Sequence, residues 1–226
     1  TPTRRGRSRA RGMPEPARAG AAGASSVPRI IAGQWRGRVL ASPPGSATRP
    51  TAERLRQALF DMLWHAEWGG REWLGAACVL DAFAGTGAMG LEALSRGAVS
   101  AVFMEQDRAA LNALRANVAA CGAEAAVLAC DATRPPRAKA PCDLVFLDPP
   151  YGEGLIPRTL AALGAAGWIA PDAVVVAEHA RDQDIWSAPH ADAPPIGSAA
   201  AGAPDGWALL ATRAHGAGAV TVLRAA

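Results

Sequence analysis

Leu80-Asp81-Ala82-Phe83-Ala84-Gly85-Thr86-Gly87-Ala88-Met89-Gly90-Leu91-Glu92-Ala93-Leu94 decides how this chain folds. The residues leading into it, Ala76-Ala77-Cys78-Val79-Leu80, form an unbroken small apolar run. That is the pattern of a strand buried on both faces of a parallel sheet. After the turn, Leu91, Leu94 and Ala98 recur at helical spacing, with Glu92 and Arg96 expected to point away from the core. Between strand and helix lie Gly85, Gly87 and Gly90, where the missing Cβ permits positive φ and close approach of a ligand to the backbone. The stretch reads as strand, ligand-binding turn and helix.

Gly85-x-Gly87-x-x-Gly90 also satisfies the dinucleotide pattern, and Glu105 stands about 20 residues on, where such folds carry a ribose-binding acid. Asp81 argues against a pyrophosphate. A carboxylate at the strand tip repels two phosphates but attracts an ammonium and a sulfonium, and S-adenosylmethionine carries both. A tight turn with no ligand would use the same glycines.

The second fixed point is Asp143-Leu144-Val145-Phe146-Leu147, another buried strand, which runs into Asp148-Pro149-Pro150-Tyr151. Two prolines fix φ twice and remove two amide donors, leaving carbonyls and the Asp148 carboxylate facing outward. Acceptors held rigidly beside an aromatic ring suit a planar group bearing an amine. Asp148, Pro149 and Tyr151 are candidate contacts to such a group, although an ordinary strand-ending turn would use the same Asp-Pro-Pro.

The rest of the chain supplies an α/β alternation around these two points. Strands are expected at Ala101–Glu105, Ala126–Asp131 and Ala173–Glu178, with helices at Asp107–Cys121 and Ile156–Ala166. Trp207–Thr212 and Ala219–Leu223 read as a closing antiparallel pair, and Asp182–Asp205 as a loose Pro- and Ala-rich loop. Acids at the ends of successive strands, Asp81, Glu105 and Asp131, converge where open α/β sheets bind ligands. The fold class is thus α/β, a seven-stranded Rossmann-like sheet, mostly parallel, with a small N-terminal hairpin and helix extension.

At 226 residues the chain holds one core domain and an appendage. Its net charge of +3 hides an asymmetry: residues 1–56 carry twelve arginines against Glu15 and Glu53, a net of +10, leaving −7 for the remainder. Such a split suggests a catalytic body with a basic arm for a polyanion. Residues 1–26, rich in Arg, Gly, Ala, Pro and Ser without hydrophobic period, are expected to be a disordered basic tail. Residues 27–74 are expected to form an RNA-binding extension and 75–226 the catalytic domain. The extension opens on a hairpin, Val27 to Leu40, with Trp35 among Arg29, Arg36 and Arg38, since a ring stacks on a base while guanidiniums hold phosphates. Arg49-Pro50-Thr51 starts a helix, with Thr51 as N-cap and Arg49, Arg54 and Arg56 as further candidates for ligand or RNA contacts.

Cys78, Cys121, Cys130 and Cys142 show no metal-ligand spacing, and neither do the four histidines, so no metal is expected. No apolar run approaches the roughly 20 residues that cross a bilayer, and no secretory leader is visible. The expected location is the cytoplasm.

Taken together, Arg29-Ile30-Ile31-Ala32-Gly33-x-Trp35-Arg36-Gly37, Arg49-Pro50-Thr51, the Leu80–Ala93 motif and Asp148-Pro149-Pro150-Tyr151 resemble the class I S-adenosylmethionine-dependent methyltransferases. More closely, they resemble the RsmD family of bacterial small-subunit ribosomal RNA guanine methyltransferases. The resemblance implies that Asp81, Gly85 and Gly87 hold the methionine part of the cofactor, Glu105 the ribose and Asp131 the adenine, with Phe83 and Ala132 completing the cofactor set. It implies that Asp148 and Pro149 receive the 2-amino group of a guanine in 16S ribosomal RNA, with Tyr151 against the base. The implied partner is ribosomal RNA in an assembling small subunit, and the implied protein a monomer. Gln57-Ala58 and Cys130 depart from the family pattern. Three other readings use part of these features: a nicotinamide-dependent oxidoreductase, a non-catalytic RNA-binding protein, and a methyltransferase acting on the amine of another nucleic acid base.

Overall fold

The structure, a computed structural model, describes residues 27–43, 50–151, 153–183, 185–186 and 206–226. The basic tail, Arg49 and most of the Asp182–Asp205 stretch lie outside the described residues. The elements in chain order are helices α1 (Pro50–His65) and α2 (Arg71–Ala76), strand β1 (Cys78–Asp81), helix α3 (Ala88–Ser95), strand β2 (Ser100–Glu105), helix α4 (Arg108–Cys121) and strands β3 (Ala125–Ala129) and β4 (Cys142–Leu147). Helix α5 (Leu155–Ala165) and strands β5 (Ile169–Ala180), β6 (Trp207–His215) and β7 (Gly218–Ala225) follow.

The seven strands form one sheet in the order β3-β2-β1-β4-β5-β7-β6. β1 to β5 run parallel, and the hairpin of β6 and β7 closes the sheet, with β7 antiparallel to both β5 and β6. Strand order reverses between β1 and β4, the switch point outside whose carboxyl ends open α/β sheets bind ligands. Side chains alternate between the two faces. Val79, Phe103, Phe146 and Val176 pack with α1, α3 and α4 on one face. Leu80, Met104, Val145 and Val175 pack with Ile156, Leu160 and Leu163 of α5 on the other.

Several boundaries differ from the expected ones. β1 starts at Cys78 because Ala76 closes α2 and Ala77 caps it. β3 ends at Ala129, two residues before Asp131. The helix expected to be capped by Thr51 begins at Pro50, so Thr51 lies inside it; proline's fixed φ and missing N–H suit a first helical turn. The two runs of the expected hairpin do pair antiparallel, but only through the single bridge of Arg29 with Val39.

The reason the hairpin stays rudimentary is that its donors are used elsewhere. Ile31 and Ala32 donate their N–H groups to the two oxygens of Glu92 at 2.7 and 3.1 Å. Gln34 donates to the Ser95 carbonyl at 2.8 Å and Trp35 to the Ser95 hydroxyl at 3.0 Å. Gly33 makes this approach possible, since a Cβ there would sit 1.7 Å from the Ser95 carbonyl oxygen. Asn117 of α4 closes the other end, exchanging bonds of 2.7 and 3.0 Å with Ala41 and donating to the Thr86 carbonyl at 2.9 Å.

Glu92 is therefore not outward-facing: it is fully buried, and Arg96 nearly so. α3 is a helix covered all round, by the sheet on one side and by residues 29–35 on the other. The Glu92 carboxylate accepts from Arg96 Nε at 2.7 Å and faces Arg56 Nε at 3.8 Å. Arg56 also donates to the Arg29 carbonyl at 2.6 Å. Arg56, a candidate ligand or RNA contact on sequence, is thus buried and braced inside the protein, where it also lines a cavity beneath α1. Burial lowers the Arg56 pKa, an effect opposed by Glu92 and Glu53.

Candidate active site

The glycine turn is tied at both ends to strand-tip acids. Asp81 closes β1, and its Oδ2 accepts the Gly90 N–H at 3.0 Å. Glu105 closes β2. Its Oε2 accepts the Gly85 N–H at 2.8 Å, and its Oε1 accepts those of Gln106 and Asp107 at 2.8 and 2.7 Å. The glycines divide the remaining work. A Cβ on Gly85, at φ 53°, would meet open space, so this backbone faces the cleft unobstructed. One on Gly87 would lie 2.5 Å from Leu114 Cδ1, and one on Gly90 2.4 Å from Phe103 Cε1. Those two positions let the start of α3 close onto α4 and β2.

Asp81 is almost completely buried, and burial pushes its carboxyl up to about 7. The Gly90 N–H works against that rise and the Glu105 charge adds to it. Past β3, the cleft wall is formed by Cys130 and Ala132. Asp131 stands between them with Oδ1 accepting from the Thr133 N–H and hydroxyl, both at 2.8 Å. Burial alone would raise this acid, but the two Thr133 bonds, Arg158 and Arg134 outweigh it and the pKa is lowered.

Asp148 follows β4 directly. It is an exposed residue at the cleft edge, yet its carboxyl is pushed up to about 7, by desolvation first and then by the charges of Glu178 and Asp81. The Asp148 carboxyl is open on one side of the cleft, and Glu178 and Asp81 face it from within. Tyr151 is half-exposed, and its hydroxyl donates to Glu178 Oε1 at 2.9 Å. His215, at the end of β6, brings Nε2 to 3.7 Å from the same oxygen. Glu178 was not among the expected site residues. Its signal in the sequence was available, an acid near the end of a buried strand like Asp81 and Glu105.

Two cavities share Phe83, Gly85 and Asp148. The first, about 560 Å³, runs past Glu105, Cys130 and Ala132 to Pro149, Pro150 and Tyr151. The second, about 270 Å³, lies beneath α1 and contains Asp81, Thr86 and Glu178. The structure thus brings together Asp81, Phe83, Gly85, Glu105, Ala132, Asp148, Pro149 and Tyr151. Gly87 supports them from behind. Of the expected RNA contacts, Arg36 and Arg38 are exposed, with Arg38 donating to the Ala120 carbonyl, and Arg29 pairs with Glu53 at 3.8 Å. The Trp35 side chain is half-buried and packs against the core. Among the described residues no three His, Cys, Asp or Glu side chains are grouped to hold a metal ion, and no helix is long and apolar enough to cross a membrane.

A seven-stranded sheet in this order, antiparallel only at β7 and its neighbours, with acid-tipped β1 and β2 around a glycine turn, defines a methyltransferase of the Rossmann-like class. Solved structures agree. This chain superposes on yhhF from Escherichia coli with a TM-score of 0.70, at 32% identity over 88% of this chain and 98% of that one. A Haemophilus influenzae structure follows with a TM-score of 0.65, at 28% identity over 88% of this chain and 99% of that one. The chain belongs to the family described as conserved hypothetical protein 95, whose model matches residues 28–192. It is 40% identical over 163 residues to ribosomal RNA small subunit methyltransferase D of Escherichia coli strain K12, spanning 71% of this chain and 79% of that protein. Its identity to the Haemophilus influenzae protein of the same name is 31% over 194 residues, 83% and 89% of the two chains.

Proposed function

We propose that this methyltransferase transfers a methyl group from S-adenosylmethionine to the 2-amino group of a guanine in small-subunit ribosomal RNA, acting as a monomer on the assembling subunit. The observation that carries the reading is the shared wall of the two cavities, where Asp148 meets the glycine turn between Asp81 and Glu105. The relatives named above carry the ribosomal RNA assignment in their names.

The residues fit the cofactor on their own chemistry. Asp81 is a crowded, buried acid whose raised pKa a cationic ligand would relieve. Gly85 offers bare backbone to the first cavity. Glu105 is held by three N–H groups at the mouth of that cavity, in place to accept from ribose hydroxyls. Asp131, Ala132 and Phe83 complete the adenosine side. When bound, S-adenosylmethionine supplies an electrophilic methyl on a sulfonium.

Asp148 and the Pro149 carbonyl accept the two hydrogens of the guanine amine. This draws the nitrogen toward a pyramidal shape with its lone pair turned to the reacting carbon. Most of the acceleration is then positioning together with electrostatics. Tyr151 stacks on the displaced base and offsets part of the cost of unstacking it. Arg29, Trp35, Arg36, Arg38 and Arg49, with the basic tail, supply affinity for the RNA backbone.

The test is to incubate the protein with methyl-labelled S-adenosylmethionine and small ribosomal particles from cells lacking the gene, then digest the RNA to nucleosides. Label in N2-methylguanosine at one position is the expected result. Label in methyladenosine or methylcytidine would favour the reading in which Asp148-Pro149-Pro150-Tyr151 serves another planar amine.

A further inference from the structure

Glu178 stands beside Asp148 on the neighbouring strand. Phe146 pairs with Val176 and Leu147 with Ala177, so the same parallel register sets Asp148 next to Glu178. Residues paired in this way project to the same side of the sheet. Both acids line the smaller cavity, together with Asp81. The Glu178 carboxylate is oriented from outside by the Tyr151 hydroxyl at 2.9 Å and flanked by His215 at 3.7 Å. Its side chain is 26% exposed, so it is held in place yet still reachable.

Two acceptor carboxylates side by side ask for two adjacent donors. Guanine offers them, because N1–H lies next to the 2-amino group on one edge. Adenine and cytosine place a bare ring nitrogen beside their amine, and its lone pair would face a carboxylate unfavourably. We propose that Glu178 is the specificity-determining residue for guanine, accepting N1–H while Asp148 and the Pro149 carbonyl receive the 2-amino group. This rests on the guanine reading above. Tyr151 then has two tasks, stacking with its ring and orienting Glu178 with its hydroxyl.

The test uses RNA carrying either guanine or 2,6-diaminopurine at the mapped target position, assembled by splinted ligation. The analogue keeps the 2-amino group but presents an acceptor at N1. Wild-type protein should prefer guanine in kcat/KM by about 10- to 100-fold, the discrimination of one well-placed base contact. In Glu178→Gln the amide can turn its NH2 toward N1, so the preference should fall by about 10-fold, guanine activity included. Tyr151→Phe keeps the carboxylate and should retain most of the preference while losing rate. If the Gln variant is silent on both RNAs, competition binding between them reads the same ratio. An unchanged ratio in Glu178→Gln, with guanine still methylated at N2, would overturn the proposal and leave Glu178 as a brace for Tyr151. Absence of N2-methylguanosine from the wild-type reaction would instead overturn the underlying guanine reading, and this proposal with it.

Discussion

Glu92 Oε2 accepts the Ile31 N–H at 2.7 Å, joining residues 29–35 to a buried helix 61 residues away. The carboxylate has no exposure to water, and Arg56 and Arg96 approach it from either side. One charge thus accepts from two backbone donors and from Arg96 Nε and pairs with the Arg56 guanidinium, and it fastens residues 29–35 over α3, the helix that follows the glycine turn.

Glu92→Ala should be strongly destabilising, by about 3–5 kcal/mol, because it leaves two buried cations and two amides without their acceptor. Urea denaturation followed by tryptophan fluorescence measures this. A loss below about 1 kcal/mol would mean that the cluster is better solvated than its geometry indicates.

Gly33 and Gly37 have almost the same φ, 81° and 82°, but different surroundings. A Cβ on Gly33 would strike the Ser95 carbonyl, whereas one on Gly37 would meet nothing within 4 Å. Gly37→Ala should therefore cost about 1–2 kcal/mol, the backbone term alone. Gly33→Ala should cost clearly more and loosen residues 29–35. Equal melting temperatures for the two variants would show that the loop can lift from α3 freely.

The raised Asp81 pKa makes the ligand-free protein pH-sensitive in a defined direction. The folded value is about 7 against an unfolded 3.8, so within that window the folded state binds the extra proton. The stability this contributes is complete below the unfolded value and is lost as pH rises through the folded one. Asp148, also raised to about 7, acts in the same sense, with a smaller share because it opens to water. Thermal melts of the ligand-free protein should therefore fall between pH 4 and 7 from these two groups. Binding of S-adenosylmethionine, which favours the ionised acids, should tighten from pH 6 to 8 and release protons, and Asp81→Asn should flatten both trends. Calorimetry in two buffers of different ionisation enthalpy counts the protons, and a count of zero at pH 6.5 contradicts the assignment.

Asp148→Ala should lower the methyl-transfer rate by about 100-fold, the typical loss on removing a key transition-state contact. Cofactor affinity should change little, since Asp81, Glu105 and the glycine turn remain. Single-turnover kinetics beside equilibrium binding separates the two, and a variant that has simply stopped binding the cofactor would remove Asp148 from its proposed role.

For the RNA surface, Arg36→Ala is the cleanest probe because Arg36 is exposed, while Trp35 also packs against the core. The substitution should weaken RNA binding and reduce the slope of log affinity against log salt by about one. Cofactor binding should be unaltered. An unchanged slope would place the phosphate contacts elsewhere.

The sequence alone determined the α/β alternation, the glycine turn, Asp81 and Glu105 at strand tips and the Asp148-Pro149-Pro150-Tyr151 corner. These depend on short-range causes: the period of apolar residues, the conformational freedom of glycine and the rigidity of proline. Only the tertiary structure decided the fate of the charges. On a helical period Glu92 faces away from Leu91 and Leu94, and nothing local reveals that residues 29–35 return to cover that side. Arg56 and Trp35 each gain a contact inside the protein that no local pattern announces, Arg56 with the Arg29 carbonyl and Trp35 with the core. Glu178 gains meaning from the β4–β5 register, which sets it against Asp148, and from Tyr151, 27 residues earlier, which reaches its carboxylate. Burial of a polar group is settled by whichever distant segment supplies its hydrogen bonds, so local pattern shows where a charge begins but not what it faces.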